Sequence, residues 1–370
     1  MKIKTYHSIL FLLLCLVISA QDITLKEAFK DYYYIGTALN TAQITGKDSQ
    51  SVSIIKEHFN SITPENILKW ESVHPVRDKY YFEMPDKFVQ FGIDNNMFII
   101  GHTLVWHSQV PDWVFCDKDG QTISKEELLA EMKDHIFTVA GRYKDKINGW
   151  DVVNEAFESD GSMRKSRWLE IIGEEYFEKA FIYAHEAAPD AELYYNDYDM
   201  WKPEKAKAVA AFIKKLKDKG VKIDGVGMQG HWALDYPSKE ELTESMQALT
   251  DIGVKIMITE LDLSMLPNPF NYTGADISTN AELREELNPY PEFLPDSMQI
   301  KQSARFVEFF NIFNQFKDNV SRVTFWGLTD GQTWRNDWPV HGRTDYPLLF
   351  DRKFQPKPAY KAIIKTVMDK

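Results

Sequence analysis

Hydrophobic and polar positions repeat along the chain in a regular order. Eight short apolar runs, typical of buried strands, alternate with stretches in which apolar residues recur at helical spacing. The predicted strands are 32–39, 61–66, 98–106, 148–155, 192–198, 225–231, 254–262 and 322–330, and the clearest predicted helices are 125–140, 174–187, 203–219, 238–249 and 300–317. In one of these helices Pro203 suits the first turn and Gly220 suits the C-terminal stop. Because strands that alternate with helices form parallel β-α units, eight units predict an α/β fold, a single-domain (β/α)8 TIM barrel.

An open, doubly wound sheet is the structural alternative to the barrel. Nucleotide-binding sheets of that kind carry a glycine-rich loop after the first strand, and neither GxGxxG nor GxxxxGK[ST] follows the first strand here. The closed barrel is therefore the favoured architecture.

Residues 1–20 have the pattern of a signal peptide. A basic start precedes the apolar run 9–18, which is too short to span a bilayer, and two small residues follow it. We expect cleavage near Ala20, a catalytic domain over 21–370, and secretion into the extracellular or periplasmic space. A lipoprotein attached through Cys15 fits poorly, because a large leucine precedes the cysteine where a small residue is expected.

Composition narrows the possible functions. The net charge of −12 argues against a nucleic-acid-binding protein, which needs a basic face. Hydrophobic residues make up 44% of the chain, which excludes a disordered protein. Cys116 is the one cysteine outside the leader, so we expect no internal disulfide. No later segment is apolar enough to span a membrane, and we expect a monomer with neither a nucleic-acid partner nor a membrane span.

Polar and aromatic residues gather where seven of the predicted strands end. In chain order they are Glu65, Asn66, Lys69 and Trp70, then His102, Trp106 and His107, then Asn154 and Glu155, then Asn196, Asp197 and Tyr198, then Gln229 and His231, then Glu260 and Asp262, and finally Trp326. The catalytic residues of a (β/α)8 barrel lie at this end of the strands. Seven strands that become polar only at their C-terminal ends predict one shared active site.

Two of these residues, Glu155 and Glu260, indicate glycoside hydrolysis. That reaction needs two carboxyl groups, one protonated and one ionised, on either side of the scissile bond. Their strands are three positions apart in a ring of eight, so the two side chains can face each other. Sugar rings stack on aromatic side chains, and their hydroxyl groups need amide and carboxylate partners. The stacking candidates are Trp70, Trp106, Tyr198, Trp326 and Trp334, and the hydroxyl-binding candidates are Glu65, Asn66, Lys69, Gln109, Asn154, Asn196 and Gln229.

Other hydrolytic chemistries fit less well. His102 and His107 are five residues apart, a spacing that sends strand side chains to opposite faces, so they form a poor chelating pair even with His231 as a third ligand. No HExxH pattern and no GxSxG elbow occurs. We therefore expect neither a catalytic metal nor another cofactor.

At the level of whole motifs, the chain resembles the family 10 glycoside hydrolases, the retaining endo-β-1,4-xylanases. The resemblance covers about residues 25–368. The matching motifs, in family order, are ITPENILKW (62–70), GHTLVWHSQVPDW (101–113), WDVVNEA (150–156), YYNDYD (194–199), GMQGHW (227–232), ITELDL (258–263), WGLTDGQTW (326–334) and PKPAY (356–360). The resemblance implies a xylan or xylo-oligosaccharide substrate.

The resemblance also implies a role for each matching residue. Glu155 corresponds to the general acid/base and Glu260 to the nucleophile, with carboxyl groups about 5–5.5 Å apart. Asn154 corresponds to the residue that binds the sugar 2-hydroxyl, and His231 with Asp262 to a relay that tunes the nucleophile. The substrate-binding positions are Glu65, Asn66 and Lys69 on the non-reducing side, His102, Trp106, Gln109, Trp326 and Trp334 around the cleavage subsite, Gln229 near the attacked sugar, and Tyr198 on the leaving-group side.

Three features depart from the common family pattern. They are Trp232 after the histidine, Asp199 after the tyrosine, and a long, proline-rich excursion over 264–297. We expect them to leave the chemistry unchanged, and they leave the fine specificity of the subsites open. Two alternative functions stay open, a retaining glycanase that acts on another β-1,4-linked glycan and a non-catalytic glycan-binding barrel.

Overall fold

The barrel predicted from the hydrophobic pattern is present. A computed structural model of the chain describes residues 23–270 and 276–368. Eight parallel strands close into a barrel in chain order, each paired with the next and the first paired with the eighth. They are β1 (Tyr34–Leu39), β2 (Ser61–Pro64), β3 (Phe98–Trp106), β4 (Gly149–Asn154), β5 (Glu192–Asp197), β6 (Gly225–Ala233), β7 (Lys255–Ser264) and β8 (Val320–Phe325).

Helices connect the strands and surround the barrel. They are α1 (Leu25–Ala28), α2 (Thr41–Ile44), α3 (Ser49–His58), α4 (Trp70–Val73), α5 (Glu83–Asp94), α6 (Lys125–Arg142), α7 (Arg167–Ile172), α8 (Glu175–Ala187), α9 (Pro203–Asp218), α10 (Lys239–Thr250), α11 (Asp296–Gln315) and α12 (Pro358–Met368), with 3₁₀ turns at Asp112–Val114, Glu285–Leu287 and Trp334–Asn336. The five predicted helices correspond to α6, α8, α9, α10 and α11. Within the described ranges, no helix has the length and apolar content needed to cross a membrane.

Local signals explain where several helices begin and end. Pro203 is the first residue of α9, and Gly220 follows its end with a φ of 89°, as predicted. The helices α6 and α10 each begin with a capping box, in which a serine and a glutamate three residues later satisfy each other's backbone N–H groups. The prediction for the last strand was too long. It ends at Phe325, because Gly327 turns the chain with a φ of 115°.

The apolar core fills the layer between the strands and the helices. Trp150, Trp168 and Trp232 are among the largest fully buried side chains. The ring of Trp232 lies 4.6 Å from that of Phe309 in α11, measured between centroids. Trp232 thus faces the helix layer and not the cleft, so this departure from the family pattern does not reach a substrate subsite.

Two sequence predictions fall wholly or partly on residues that the structure does not describe. The signal peptide over 1–20 lies outside the described residues, as does the segment 271–275 within the excursion. The described part of the excursion returns along the barrel mouth, where Ala281 bridges to Val340 and the Tyr346 hydroxyl donates to the Tyr290 carbonyl at 2.7 Å.

Candidate active site

The residues predicted at the strand ends surround one cavity. It has a volume of about 310 Å³ and opens at the C-terminal ends of the strands. Its predicted lining residues are Glu65, Asn66, Lys69, His102, Trp106, Gln109, Asn154, Glu155, Gln229, His231, Glu260, Trp326 and Trp334. Four further residues that the sequence analysis did not propose also line it: Ile277, Gln332, Thr333 and Asp337.

The two candidate carboxylates share an unusual backbone conformation. Glu155 follows the end of β4, and Glu260 lies within β7, where the pairing with β8 shifts register between Ile258 and Leu261. Both have a φ of 56° and both are 6% exposed. A positive φ is uncommon for residues other than glycine, and such strain concentrates at functional sites. The irregular backbone brings both side chains to the wall of the cavity.

Glu155 accepts hydrogen bonds from two neutral groups. The Trp106 indole donates to Oε2 at 2.8 Å, and the Gln229 amide donates to Oε1 at 3.0 Å. Burial raises the pKa of Glu155, and the nearby negative charge of Glu260 raises it further, against the opposing effect of these hydrogen bonds. This environment favours the protonated form that a general acid needs.

Glu260 has different partners. Its Oε2 lies 3.1 Å from His231 Nε2, and its Oε1 accepts from the Asn196 amide at 2.8 Å. Burial alone would raise the pKa of Glu260, but the hydrogen bond with His231 and the charges of His102 and His231 outweigh it and lower the pKa. This environment favours the carboxylate that a nucleophile needs.

Behind Glu260, His231 is held between two carboxylates. Its Nδ1 lies 2.9 Å from Asp262 Oδ2. Burial disfavours a charged imidazole, but the two carboxylates outweigh that cost and raise the pKa of His231. Burial also opposes ionisation of Asp262, yet the charges of Arg335 and His231 lower its pKa to about 2. The contacts of the relay that the family resemblance implied are therefore present, with an arginine at the far end.

Lys69 links two of the other predicted substrate-binding residues by hydrogen bonds. Lys69 Nζ donates to Asn66 at 2.9 Å and to Gln109 at 2.8 Å. The same ammonium group lies 5.0 Å from the centroid of the Trp106 ring. Burial raises the pKa of Glu65 to about 7, although the charge of Lys69 opposes the change. Charged and amide groups are thus available for sugar hydroxyls at this end of the cavity.

Aromatic and imidazole rings form the walls around the carboxylates. His102 is fixed by Asp151, with Nδ1 and Oδ2 2.9 Å apart, and its ring meets Trp326 edge-on at 5.4 Å. The ring of Trp334 lies 4.8 Å from that of His231. These walls are consistent with the predicted stacking of sugar rings.

Three predicted binding or stacking residues lie elsewhere. Asn196 is completely buried below the cavity, where it binds Glu260 and Asn154, so it supports the carboxylate and does not line the sugar site. Tyr198 is 3% exposed, contacts Arg164 and is not part of the cavity wall. Trp70 stacks on His135 in the core, with centroids 3.6 Å apart. Asn196 lies near the end of β5 and the other two residues follow a strand, but in each case the side chain does not reach the cavity wall.

Charged residues next to the site were missed because they follow no strand pattern. Arg164 donates to the Glu155 carbonyl at 3.0 Å, and Arg335 donates to Asp262 at 2.9 Å. For Arg335 the adjacent Trp334 was a usable signal, whereas Arg164 lies in a loop nine residues after Glu155.

Over 23–270 and 276–368, no three His, Cys, Asp or Glu side chains cluster as metal ligands would.

Comparison with known proteins agrees with this geometry. A family model, glycosyl hydrolase family 10, matches residues 24–366. The chain belongs to this family. It is 45% identical to endo-1,4-beta-xylanase A from Xylanibacter ruminicola over 96% of each chain. It is also 42% identical to a beta-1,4-xylanase from Dictyoglomus thermophilum, over 92% of this chain and 90% of that protein.

Solved structures of the family superpose closely on this glycoside hydrolase. A family 10 endoxylanase from a sugarcane soil metagenome is 48% identical with a TM-score of 0.90, covering 92% of this chain and 99% of the other. Xylanase XynB from Paenibacillus barcinonensis, complexed with a conduramine derivative, is 37% identical with a TM-score of 0.85, covering 94% and 99%. An intracellular xylanase from Thermoanaerobacterium saccharolyticum, complexed with xylotriose as a mutant, is 36% identical with a TM-score of 0.80, covering 93% and 99%.

Proposed function

We propose that this family 10 hydrolase is an endo-1,4-β-xylanase that cleaves internal xylosidic bonds of xylan with retention of configuration. One observation supports it above all: two carboxyl groups share one cavity, and their partners drive their pKa values in opposite directions. Retaining glycosidases require this pairing of an acid with an anion.

In the first step the carboxylate of Glu260 attacks the anomeric carbon. As the new C–O bond forms, the glycosidic C–O bond breaks, and its electron pair moves to the leaving oxygen, which takes the proton of Glu155. The amide of Asn196, 2.8 Å from Glu260 Oε1, holds the nucleophile in orientation while His231 holds the other oxygen. The product of this step is a glycosyl ester of Glu260.

In the second step water replaces the enzyme on the sugar. Esterification removes the negative charge of Glu260, so the pKa of Glu155 falls and its carboxylate can accept a proton from water. The hydroxide oxygen bonds to the anomeric carbon, and the electron pair of the ester bond returns to Glu260. Two inversions at one carbon give net retention.

The substrate assignment rests on the relatives and on the shape of the site. The similar proteins from Xylanibacter ruminicola and Dictyoglomus thermophilum bear xylanase names, and a related xylanase was crystallised with xylotriose. Xylose lacks a C6 hydroxymethyl group, so the wall that Trp326 and Trp334 form favours xylan over glucan.

Two measurements test the proposal. Initial rates of reducing-sugar release should be much higher on xylan than on carboxymethyl cellulose; equal rates would favour a broader β-glycanase, and no release would favour a glycan-binding barrel. A proton NMR time course should show the β-anomer of the new reducing end first. An α-anomer that appears first would overturn the retaining mechanism.

We also propose that the mature protein is exported. The basic start, the apolar run 9–18 and the small residues before Gln21 support cleavage near Ala20. To test this, the full chain is expressed in a bacterial host that exports proteins with signal peptides. N-terminal sequencing of the exported protein should show a chain that begins near Gln21. Retention of the uncleaved chain in the cytoplasm would contradict this proposal.

A further inference from the structure

Two successive residues of the turn after β8 bind one buried carboxylate. The indole of Trp334 donates to Asp262 Oδ2 at 2.7 Å, and Arg335 Nε donates to Oδ1 at 2.9 Å. Arg335 Nη2 lies 2.8 Å from the same Oδ1 without a well-directed hydrogen bond, so that contact is ionic. Both oxygens of Asp262 therefore have partners, since His231 also contacts Oδ2.

Arg335 is itself held on several sides. Its backbone N–H donates to Thr333 Oγ1 at 3.3 Å, and its carbonyl accepts from Arg343 Nε at 3.0 Å. Its guanidinium carbon lies 5.2 Å from the ring centroids of both Trp334 and Trp338, which stack on each other. A side chain packed in this way loses little entropy when it forms the ion pair, and the planar guanidinium suits a fixed carboxylate.

The charged side chains around Arg335 contact one another in a row, from Arg335 through Asp262 and His231 to Glu260. Glu260 and Asp262 of β7 face His231 from either side, and the rings of Trp334 and Trp326 cover it. Arg335 faces Asp262 from the far side, and Tyr236, Asp345 and Arg343 are the ionisable groups beyond it. The positive charge of Arg335 balances Asp262, which limits how strongly Asp262 holds a proton on His231.

We propose that Arg335 is a positioning residue for hydrolysis, which fixes Asp262 and, through it, both the imidazole beside Glu260 and the Trp334 wall. The inference rests on the proposed role of Glu260 as the nucleophile. Without the arginine, Asp262 would bind the proton of His231 more tightly. The charged imidazole would then stabilise the carboxylate of Glu260 in the ground state and make it a weaker nucleophile toward the anomeric carbon. Formation of the glycosyl-enzyme would slow as a result.

The test compares R335Q, which keeps a hydrogen-bond donor without the charge, with R335K, which keeps the charge without the planar fork. Proton–nitrogen NMR of the histidine rings follows the titration of His231 in each variant, without any substrate. In R335Q we expect the pKa of His231 to rise by about one unit and kcat/KM on xylo-oligosaccharides to fall about 10- to 100-fold, as for loss of a charge-assisted hydrogen bond. R335K should return the titration close to that of the wild type and recover part of the rate.

A matched control is R352M, because Arg352 is a nearby arginine that contacts Asn336 and the Asp345 carbonyl and does not touch Asp262. It should leave both readouts unchanged. An unchanged titration of His231 in R335Q would overturn the proposal even if the rate fell, because a merely structural role would lower the rate without moving the titration. A wild-type enzyme inactive on every β-1,4-glycan would contradict the proposed function instead, while the titration would still test the link between Arg335 and His231.

Discussion

The surroundings of Glu155 and Glu260 differ, although the two residues have the same backbone conformation and the same exposure. Glu155 binds only neutral donors, the indole of Trp106 and the amide of Gln229. Glu260 contacts an imidazole whose pKa is raised, against the effect of burial, by Asp262 and by Glu260 itself. Burial alone would raise the pKa of both, so the comparison teaches that the partners, and not the depth, separate the acid from the nucleophile.

The charges behind the two residues are also arranged differently. On the Glu155 side the cations bind other groups: Arg164 binds the Glu155 carbonyl, and Lys205 pairs with the buried Asp197 at 2.8 Å. On the Glu260 side the series from Arg335 through Asp262 and His231 ends on the carboxylate itself. Among the described residues, no cation pairs directly with the Glu155 carboxyl group, although the charge of Arg164 still acts on it.

The largest expected effect comes from removal of the nucleophile. E260Q should lower kcat on every glycoside by at least about 10⁴-fold, because no covalent intermediate can form. Reducing-sugar release from xylan measures the loss. E192Q is the matched control, since Glu192 begins β5 at the opposite end of the barrel and pairs with Lys255. Near-wild-type turnover by E260Q would remove Glu260 from the mechanism.

The acid should be less essential than the nucleophile, and its importance should depend on the leaving group. E155Q should slow xylan hydrolysis about 10²- to 10⁴-fold, the usual contribution of general acid–base catalysis. Glycosylation by an aryl xyloside with a good leaving group should be nearly unaffected, because that group departs without a proton. Pre-steady-state release of the phenol measures this step, and an equal loss on both substrates would contradict the assignment.

A third prediction extends the comparison to two buried histidines. His231, between two carboxylates, has a raised pKa, whereas His74 stacks on Tyr80, has no hydrogen-bond partner among the described residues, and has a pKa lowered to about 4 mainly by burial. Between about pH 6.5 and pH 4, His74 therefore binds fewer protons in the folded chain than in the unfolded chain, so the stability that depends on this histidine falls as the pH drops toward 4. H74F should flatten that fall by about 1–2 kcal/mol.

Denaturant unfolding at pH 7 and pH 4.5 measures this difference. H185F is a suitable control, because His185 lies on the exposed side of α8. If H74F and the wild type lost the same free energy of unfolding between these pH values, His74 would not be held neutral by burial.

The smallest expected effect concerns the hydrogen bond that Trp106 donates to Glu155. Its hydrogen bond from Trp106 favours the carboxylate, so W106F should raise the pKa of Glu155 further, and the alkaline limb of kcat/KM should move up by about half a unit. The acid limb, which we expect Glu260 to set, should stay in place. A pH–rate profile measures the alkaline limb, and a downward move of that limb would show that the hydrogen bond acts in the opposite sense.

Particular residues show how far prediction from the sequence could reach. Glu155 and Glu260 lie at or near the C-terminal ends of the predicted strands 148–155 and 254–262, and this pattern was enough to predict that both would reach the mouth of the barrel. Asn196 also follows this pattern, yet it is buried beneath Glu260, because position along a strand does not report depth below the cavity floor. Trp70 lies just beyond β2 but begins α4, whose packing turns its ring onto His135.

The alternation of strands and helices predicted the closed barrel, and the polar strand ends predicted most of the residues that line the cavity, because both depend on patterns within short segments. The family resemblance implied which carboxyl group is the acid, and only the tertiary structure gave a physical reason for that assignment, because it moves the pKa values of Glu155 and Glu260 in opposite directions. These shifts depend on contacts between residues far apart in the chain, such as Trp106 with Glu155 and Arg335 with Asp262. Electrostatic interactions depend on the distance between charges and on their burial. Neither quantity can be read from the order of residues along the chain.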